Sequence, residues 1–169
     1  MNRLLLLAVL IPLTGCEARP ERWAERQAAA DPPELWRVEA LRSEASGDKP
    51  PSIEICADTY LREGFSRPLA EVQGLPCAPT GDPIQTKDGL LRRCTVGTTT
   101  LLVRTRREGD ADNFTVELRV TALGAGPSVT AIQTRRYIRI GPCPQGWKVG
   151  EATDQAGRRA NRVWPPSSP

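Results

Sequence analysis

The residues of this chain whose type and spacing allow chemistry are its five cysteines. Cys56, Cys77, Cys94 and Cys143 are separated by 20, 16 and 48 residues, so none of them forms the close pair that is typical of a structural zinc site. The chain has no histidine to complete a metal site. Cys16 belongs to the amino-terminal signal described below, and the other four cysteines form an even set, which is typical of proteins in an oxidising compartment. We therefore expect two disulfide bonds among these four residues, with no metal and no other cofactor.

Four cysteines allow three disulfide pairings. Cys77 and Cys94 flank a predicted hairpin whose turn signal is Asp88-Gly89. This arrangement favours a bond between Cys77 and Cys94, which leaves Cys56 to bond with Cys143. A count of strand directions places all four cysteines at the same end of a simple meander, so the count does not choose among the pairings.

Enzymatic chemistry has little support in the composition. Histidine is the commonest general base and completes the Ser/His and Cys/His nucleophile pairs, and the chain has none. The strand pattern does not place two carboxylates on converging faces, as glycoside hydrolysis requires. A length of 169 residues fits one domain of ordinary size. We expect a small protein that is not an enzyme.

The amino terminus has the pattern of a bacterial lipoprotein signal. A positive start, Met1-Asn2-Arg3, precedes an apolar run from Leu4 to Leu13. A helix of this length rises about 15 Å, half of the roughly 30 Å bilayer core, so the run is too short to be a membrane span. Leu13-Thr14-Gly15-Cys16 resembles the lipobox, in which the cysteine is acylated. The alternative is an ordinary secretion signal that leaves Cys16 as a free thiol.

The lipobox-like pattern predicts how the protein is anchored. We expect residues 1–15 to be removed and Cys16 to carry fatty acids such as palmitate, which would hold the protein on a membrane. Two or more acyl chains anchor a protein stably, whereas a single chain binds reversibly. In related bacteria an Asp after the acylated cysteine retains lipoproteins in the inner membrane, so Glu17 favours the outer membrane. The expected location is the cell envelope, facing the periplasm.

Two polar segments flank the predicted domain. Residues 16–33 are rich in Ala and Arg and end in Pro32-Pro33, which stops a helix, so we expect a lipidated tether. Residues 151–169 are polar and end in Pro165-Pro166-Ser167-Ser168-Pro169, so we expect a disordered tail. The segment between them, 34–150, is predicted to be one disulfide-stapled β domain.

Alternating apolar and polar residues indicate antiparallel strands. The clearest run is Phe114–Ala122, with five apolar positions on one face and four polar positions on the other. In the last strand, about Val129 to Ile140, the apolar face switches near Ala131-Ile132, which predicts a bulge. Asp58 or Thr59 can cap a short helix between the second and third strands. The expected fold is mainly β: a single antiparallel meander sheet or half-barrel of about six strands, with one short helical crossover.

Basic residues exceed acidic residues only slightly, 23 against 20, and the excess is spread along the chain. Nucleic-acid binding would need a clustered basic face, so we expect no nucleic-acid partner. Several arginines nevertheless fall on strands that are predicted neighbours, and a face for an anionic partner is predicted at Arg104, Arg106, Arg135 and Arg139. Lipopolysaccharide phosphates, other anionic lipid or an acidic envelope protein would fit bidentate guanidinium contacts. The alternative is a solvated face that discourages pairing between sheet edges.

Three short motifs resemble a family of secreted proteobacterial proteins. They are Pro33-Glu34-Leu35-Trp36-Arg37-Val38, Arg135-Arg136-Tyr137 and Gly141-Pro142-Cys143-Pro144-Gln145-Gly146-Trp147. The family is catalogued as domain of unknown function 3617, and the resemblance covers roughly residues 33–150. Members tend to have Gly at the position of Glu34, so the opening motif departs from the pattern there. The resemblance implies an envelope location and a small disulfide-bearing β-rich domain, with no established activity and no catalytic residues.

Together these observations predict an envelope lipoprotein that serves as a non-enzymatic accessory or protein-interaction module. The alternative is a periplasmic carrier that binds a small apolar or lipid-like ligand in a cavity of the β-sheet. Aromatic residues make up 5% of the chain, which gives such a cavity little lining. No pattern in the sequence indicates an oligomeric state.

Overall fold

The residues that the computed structural model describes are 29–42, 52–123, 129–154 and 156–160, without the side chains of 129 and 130. The chain divides into two compact units, Met1–Ala30 and Asp31–Pro169, and every element named below belongs to the second unit. The predicted signal peptide 1–15, Cys16 and the tether up to residue 28 lie outside the described residues.

Strands account for most of the described chain. In chain order the elements are β1 (Glu34–Arg42), β2 (Ile53–Ala57), α1 (Thr59–Phe65), β3 (Glu71–Val72), β4 (Leu75–Pro76), β5 (Ala78–Thr86), β6 (Gly89–Val96), β7 (Thr99–Gly109), β8 (Asn113–Ala122), β9 (Val129–Pro142), β10 (Ala152–Thr153) and β11 (Arg159–Ala160).

Nine of these strands form one antiparallel sheet in the order β11-β10-β2-β1-β9-β8-β7-β6-β5, and β3 pairs separately with β4. Strands β5 to β9 form a meander, but β9 then pairs with β1, so the first strand of the domain lies in the middle of the sheet. The prediction of a mainly β fold with a large antiparallel sheet is confirmed. The prediction of about six strands is wrong, and the sheet does not close into a barrel.

Two of the additional strands lie in the segment 151–169, for which the sequence predicts disorder. Ala152 pairs with Ile55 of β2, and both side chains are buried. The backbone N–H of Cys56 donates to the carbonyl oxygen of Glu151 at 3.0 Å. The prediction of a disordered tail is therefore wrong for the residues up to the end of β11. Strand β10 pairs with the edge of β2 that would otherwise have no neighbouring strand. A strand of two residues is too short to show alternation in the sequence.

The strand pattern predicted for β8 is confirmed. Four of its five predicted inward positions are buried, namely Phe114, Val116, Leu118 and Val120. The register between β8 and β9 shifts between Val120 and Thr121, where the partners change from Ala131 to Val129. This irregularity lies at the place where the switch of the apolar face predicts a bulge.

Helix α1 lies where the sequence predicts a helix after the second strand. The carboxylate of Asp58 caps it by accepting a hydrogen bond from the backbone N–H of Leu61 at 2.9 Å. Phe65, at its end, is buried and stacks on Tyr137 with ring centroids 4.9 Å apart, and it meets Trp36 edge-on at 5.7 Å. Burying a side chain of this kind stabilises a fold by about 2–3 kcal/mol. No helix among the described residues is long and apolar enough to cross a membrane.

The sheet has two chemically different faces. The inner face carries the buried side chains, which form one cluster around Trp36 and Tyr137 and a second around Leu118 and Cys94. Residues of α1 pack on the first cluster, and Ala70 packs with the second. The outer face carries the alternate residues, which are mostly polar and half-buried or exposed, such as those of β7 and β8.

The two disulfide bonds join the pairs that the hairpin argument favours. Cys77 is bonded to Cys94, with Cα atoms 5.4 Å apart, and Cys56 is bonded to Cys143, with Cα atoms 5.7 Å apart. Both separations are ordinary for disulfides. Cys56, Cys77 and Cys94 are almost completely buried. The first bond ties the start of β5 to β6, and the second ties β2 to the segment that follows β9.

Candidate functional site

The four arginines that the sequence assigns to one face lie on opposite faces of the sheet. Arg104 and Arg106 of β7 are on the outer face, where their side chains are 51% and 65% exposed. Arg135 pairs in register with a fully buried valine of β8, and Arg139 pairs with the buried tryptophan of β1. Both therefore belong to the inner face. The prediction of one face made of all four residues is wrong.

The cause is the parity of the strand register. Side chains alternate between the two faces, so a residue shares the face of its partner on the neighbouring strand. Arg104 pairs with Arg119 on β8, and Arg119 pairs with Ile132 on β9. The outer positions of this part of β9 are thus even-numbered, which excludes Arg135.

Arg135 has a structural role on the inner face. Its side chain is 15% exposed and donates to the carbonyl oxygen of Leu69 at 3.4 Å and to the carboxylate of Glu71 at 3.2 Å. Gln133, two residues earlier, exchanges hydrogen bonds with the backbone of Glu71. These bonds attach the segment after α1 to β9, so Arg135 is already occupied within the fold.

Arg139 belongs to an ion-pair network at the end of the sheet where β1 begins. Its guanidinium lies 2.6 Å from the carboxylate of Glu34 and 3.4 Å from that of Asp112. Glu34 also pairs with Arg62 of α1 at 2.5 Å, and Arg62 pairs with Asp31 at 3.1 Å. The network joins β1, β9, α1 and the turn between β7 and β8, which is a structural role.

A group of four cations lies together on the outer face, beside the turn between β5 and β6. We name this group, which consists of Lys87, Arg104, Arg106 and Arg119, the basic notch. The β7–β8 hairpin continues to Gly109 and so extends beyond the turn of the β5–β6 hairpin. The step between the two hairpins forms a depression, which these four cations line together with Arg107 and the acidic residues Asp88 and Glu117.

Each arginine of the basic notch has a carboxylate beside it. The pairs are Asp88 with Arg104 at 4.0 Å, Glu108 with Arg106 at 2.7 Å, and Glu117 with Arg119 at 2.7 Å. All six side chains are at least 34% exposed. Exposed ion pairs contribute only about 0–1 kcal/mol. The carboxylates therefore orient the guanidinium groups but hold them weakly.

Arg104 and Arg119 occupy directly opposite positions on β7 and β8. Like charges in this arrangement destabilise a sheet by about 0.2–1 kcal/mol. In the part of the chain that the structure describes, Arg104 makes no side-chain hydrogen bond, and Arg119 donates only through Nε, to Glu117. Both guanidinium groups therefore keep terminal N–H donors, which match the oxygens of a phosphate or carboxylate.

Two members of the basic notch, Lys87 and Arg119, are missing from the sequence prediction. The sequence could have indicated Arg119, because it is one of the polar residues that alternate with apolar residues in β8. The pairing of Gly109 with Phe114, which encloses residues 110–113, places Arg119 opposite Arg104. Lys87 lies in the turn before Gly89, where the sequence signals a turn but not the neighbouring strand.

A pocket on the inner face bears on the carrier alternative. It lies beside the Cys77–Cys94 disulfide, where Leu90 and Val103 line it, and its volume is about 20 Å³. A cavity of that size holds about one water molecule. A lipid-like ligand does not fit into this pocket.

Titratable groups with shifted pKa values lie outside the basic notch. Burial raises the pKa of the Tyr137 hydroxyl, and the neighbouring Arg135 opposes this with a smaller effect. Hydrogen bonds from backbone N–H groups lower the pKa of three half-buried carboxyls, those of Asp31, Glu151 and Asp154. The bonds to Glu151 and Asp154 fix local backbone, and the bond from Thr59 joins the start of α1 to Asp31, so the lowered pKa values have a structural origin. Within the described ranges, no group of three or more Cys, Asp or Glu side chains is placed to hold a metal ion.

Comparison of the chain with protein-family models, with curated proteins and with solved structures gave no significant match. The resemblance to the family of domain of unknown function 3617 stays a prediction that depends on three short motifs. Any function proposed for this chain therefore depends on its own residues and geometry.

Proposed function

We propose that the chain is a bacterial envelope lipoprotein that is anchored through Cys16 and faces the periplasm. The lipobox-like sequence that ends at Cys16 supports the anchor. The two disulfide bonds support an oxidising compartment, because buried structural disulfides persist outside the cytosol. Membership in the family of domain of unknown function 3617, with the outer membrane as the preferred location, is part of the same proposal.

Within that protein, the β domain acts as a non-enzymatic interaction module. The observation that carries this part of the proposal is the outward pair Arg104 and Arg119, whose terminal N–H groups make no hydrogen bond within the described chain, although Asp88 lies 4.0 Å from Arg104. Two arginines at directly opposite positions on neighbouring strands repel each other less when an anion binds between them. The domain therefore offers its outer face to an anionic partner while its inner face packs the core.

The carrier alternative receives no support from the pocket beside Cys77 and Cys94. That pocket has the volume of about one water molecule, whereas ligand pockets usually enclose about 300–1,000 Å³. Native mass spectrometry of protein that is gently extracted from its own envelope separates the two functions. We expect no small apolar adduct, and a stoichiometric adduct would establish the carrier instead.

The anchor has a direct test. The full-length chain is expressed in a bacterium that is fed an alkyne analogue of palmitate. We expect the wild-type protein to be labelled and Cys16→Ser to be unlabelled. The double variant Cys77→Ala/Cys94→Ala serves as the control, because it removes two thiols elsewhere and should keep the label. An unlabelled wild-type protein contradicts the proposed anchor.

A further inference from the structure

An apolar groove lies next to the basic notch on the outer face. Four large apolar side chains line it, namely Ile84, Leu91, Leu102 and Leu123, and the charged residues Asp82, Arg92 and Arg93 also border it. Ile84 and Leu123 are 62% and 51% exposed. Scattered apolar side chains on a surface need no explanation, but contiguous exposed ones mark interaction sites. In this groove, large apolar side chains adjoin the cations of the basic notch.

Strand register joins the groove to the basic notch. Ile84 of β5 pairs with Leu91 of β6, Leu91 pairs with Arg104 of β7, and Arg104 pairs with Arg119 of β8. Strands lie about 4.8 Å apart, so the backbone of this row spans about 14 Å from the exposed Ile84 to Arg119. Apolar side chains beside paired guanidinium groups match the acyl region and the phosphate of a lipid.

We propose that the outer face of β5 to β8 docks on an anionic lipid bilayer. Ile84 and Leu123 enter the interfacial region, and Arg104 and Arg119 share a lipid phosphate. This inference rests on the proposed function, because the acylated Cys16 is what keeps the domain close to a bilayer. It adds the surface that faces the membrane and the chemistry that the surface recognises.

The length of the chain between anchor and domain permits this contact. Fifteen peptide units separate Cys16 from Asp31, and they span at most about 54 Å. Strand β1 starts at the same end of the sheet as β6, because the alternating antiparallel order gives β1, β8 and β6 one direction. Five strand spacings, about 24 Å, separate β1 from β5. The groove therefore lies within reach of the surface that holds the anchor.

Strand addition by another protein chain is a weaker explanation of this surface. Strand β5 is the free edge next to the groove, but Pro79 and Pro83 lie within it. Proline has no backbone N–H, so the edge lacks two of the donors that an added strand needs. A phosphate between Arg104 and Arg119, in contrast, removes the repulsion between them and uses the donors that Glu117 leaves free.

The experiment uses the full acylated protein in vesicles that contain a photoactivatable phosphatidylglycerol. One set of vesicles is otherwise phosphatidylcholine alone, and the other contains equal parts of phosphatidylcholine and phosphatidylglycerol. We expect crosslinks on β5 to β8 peptides, in excess of those on the peptide that contains exposed Tyr60 of α1. Added phosphatidylglycerol without the photoactivatable group should compete for these crosslinks, and high salt should reduce them.

Variants assign the contact to residues. Each arginine near an anionic surface strengthens membrane binding by a factor of about five. We therefore expect Arg104→Ser and Arg119→Ser each to lower crosslinking about fivefold. Ile84→Ser should lower crosslinking too. Arg158→Ser and Val149→Ser are the matched controls, because Arg158 is 80% exposed and Val149 is 43% exposed elsewhere on the domain. Both controls should crosslink as the wild type does.

Flotation of the same samples on neutral vesicles reports the anchor separately. A protein that floats but crosslinks equally on β5 to β8 and on α1 overturns the docking surface and leaves the proposed anchor intact. A protein that does not float contradicts the anchor, while specific crosslinks on β5 to β8 would still support the surface. Crosslinks that persist in Arg104→Ser/Arg119→Ser overturn the role of the arginine pair.

Discussion

Gly89, at the start of β6, packs directly against the carbonyl oxygen of Thr105 on β7. Its φ of +125° lies in the region that L side chains rarely adopt, and a Cβ on this residue would overlap that oxygen. The same Cβ would come 3.2 Å from the carbonyl carbon of Thr105. This close approach holds the turn between β5 and β6, which carries Lys87, against the middle of β7. Glycine is therefore required here by both conformation and space.

Substitution of this glycine should be costly. We expect Gly89→Ala to lower the free energy of unfolding by about 3 kcal/mol, since backbone strain and the overlap with Thr105 add to each other. Gly97→Ala is the control, because Gly97 has a φ of +57° but open space around it. Its expected loss is about 1–2 kcal/mol. Guanidinium chloride unfolding measures both, and equal losses would contradict the packing argument.

The strands could be predicted because their signal is local. Phe114, Val116 and Leu118 alternate with polar residues over a single strand, and burial of that stripe dictates the face. The cap at Asp58 is equally local, since the residue and the N–H that it accepts are three positions apart. The disulfide between Cys77 and Cys94 followed from one hairpin.

The arginine face could not be predicted in the same way, because it depends on two strand pairings in succession, that of β7 with β8 and that of β8 with β9. A shift of one residue moves every side chain of a strand to the other face. Arg135 and Arg136 are adjacent in sequence, yet only the pairing of β8 with β9 decides which of them faces outward. Strand β10 escaped prediction for a related reason: Ala152 is ordered by Ile55, which is remote in sequence.

The two disulfides should differ in their contributions to stability. Cys77 and Cys94 are 17 positions apart, and Cys56 and Cys143 are 87 positions apart. In the loop-entropy model the shorter loop stabilises the fold by about 3 kcal/mol and the longer by about 4.6 kcal/mol. We therefore expect Cys56→Ala/Cys143→Ala to unfold at lower denaturant concentration than Cys77→Ala/Cys94→Ala. The reverse order, or a non-reducing peptide map that joins Cys56 to Cys77, would contradict this prediction.

Glu34 should matter more than an ordinary exposed carboxylate. Its side chain is 17% exposed and forms ion pairs with both Arg62 and Arg139, so Glu34→Gln removes the negative charge that faces two guanidinium groups. We expect a loss of about 1.5–3 kcal/mol in the free energy of unfolding. Glu54→Gln is the control, because Glu54 is 33% exposed and pairs with Arg37 alone; its expected loss is below about 1 kcal/mol. If urea unfolding shows losses of the same size for Glu34→Gln and Glu54→Gln, the ion-pair network around Glu34 contributes no additional stability.

Tyr137 should make the domain sensitive to alkaline pH. Burial raises the pKa of its hydroxyl above the usual value of about 10, so the folded state holds this proton more tightly than the unfolded state. The corresponding stability is fully present below about pH 10 and is lost as the pH rises beyond it. Removal of the hydroxyl in Tyr137→Phe should therefore flatten the decline of the unfolding free energy above about pH 10.

The chain contains a natural control for that measurement. Tyr60 is the other of its two tyrosines and is 84% exposed, so Tyr60→Phe should follow the wild-type pH profile. Denaturant midpoints between about pH 8 and about pH 11 compare the three proteins across the ordinary tyrosine pKa. Parallel declines in all three would mean that the ionisation of Tyr137 does not limit stability. A flatter profile in Tyr137→Phe alone would assign the alkaline transition to the aromatic cluster that joins α1 to the sheet.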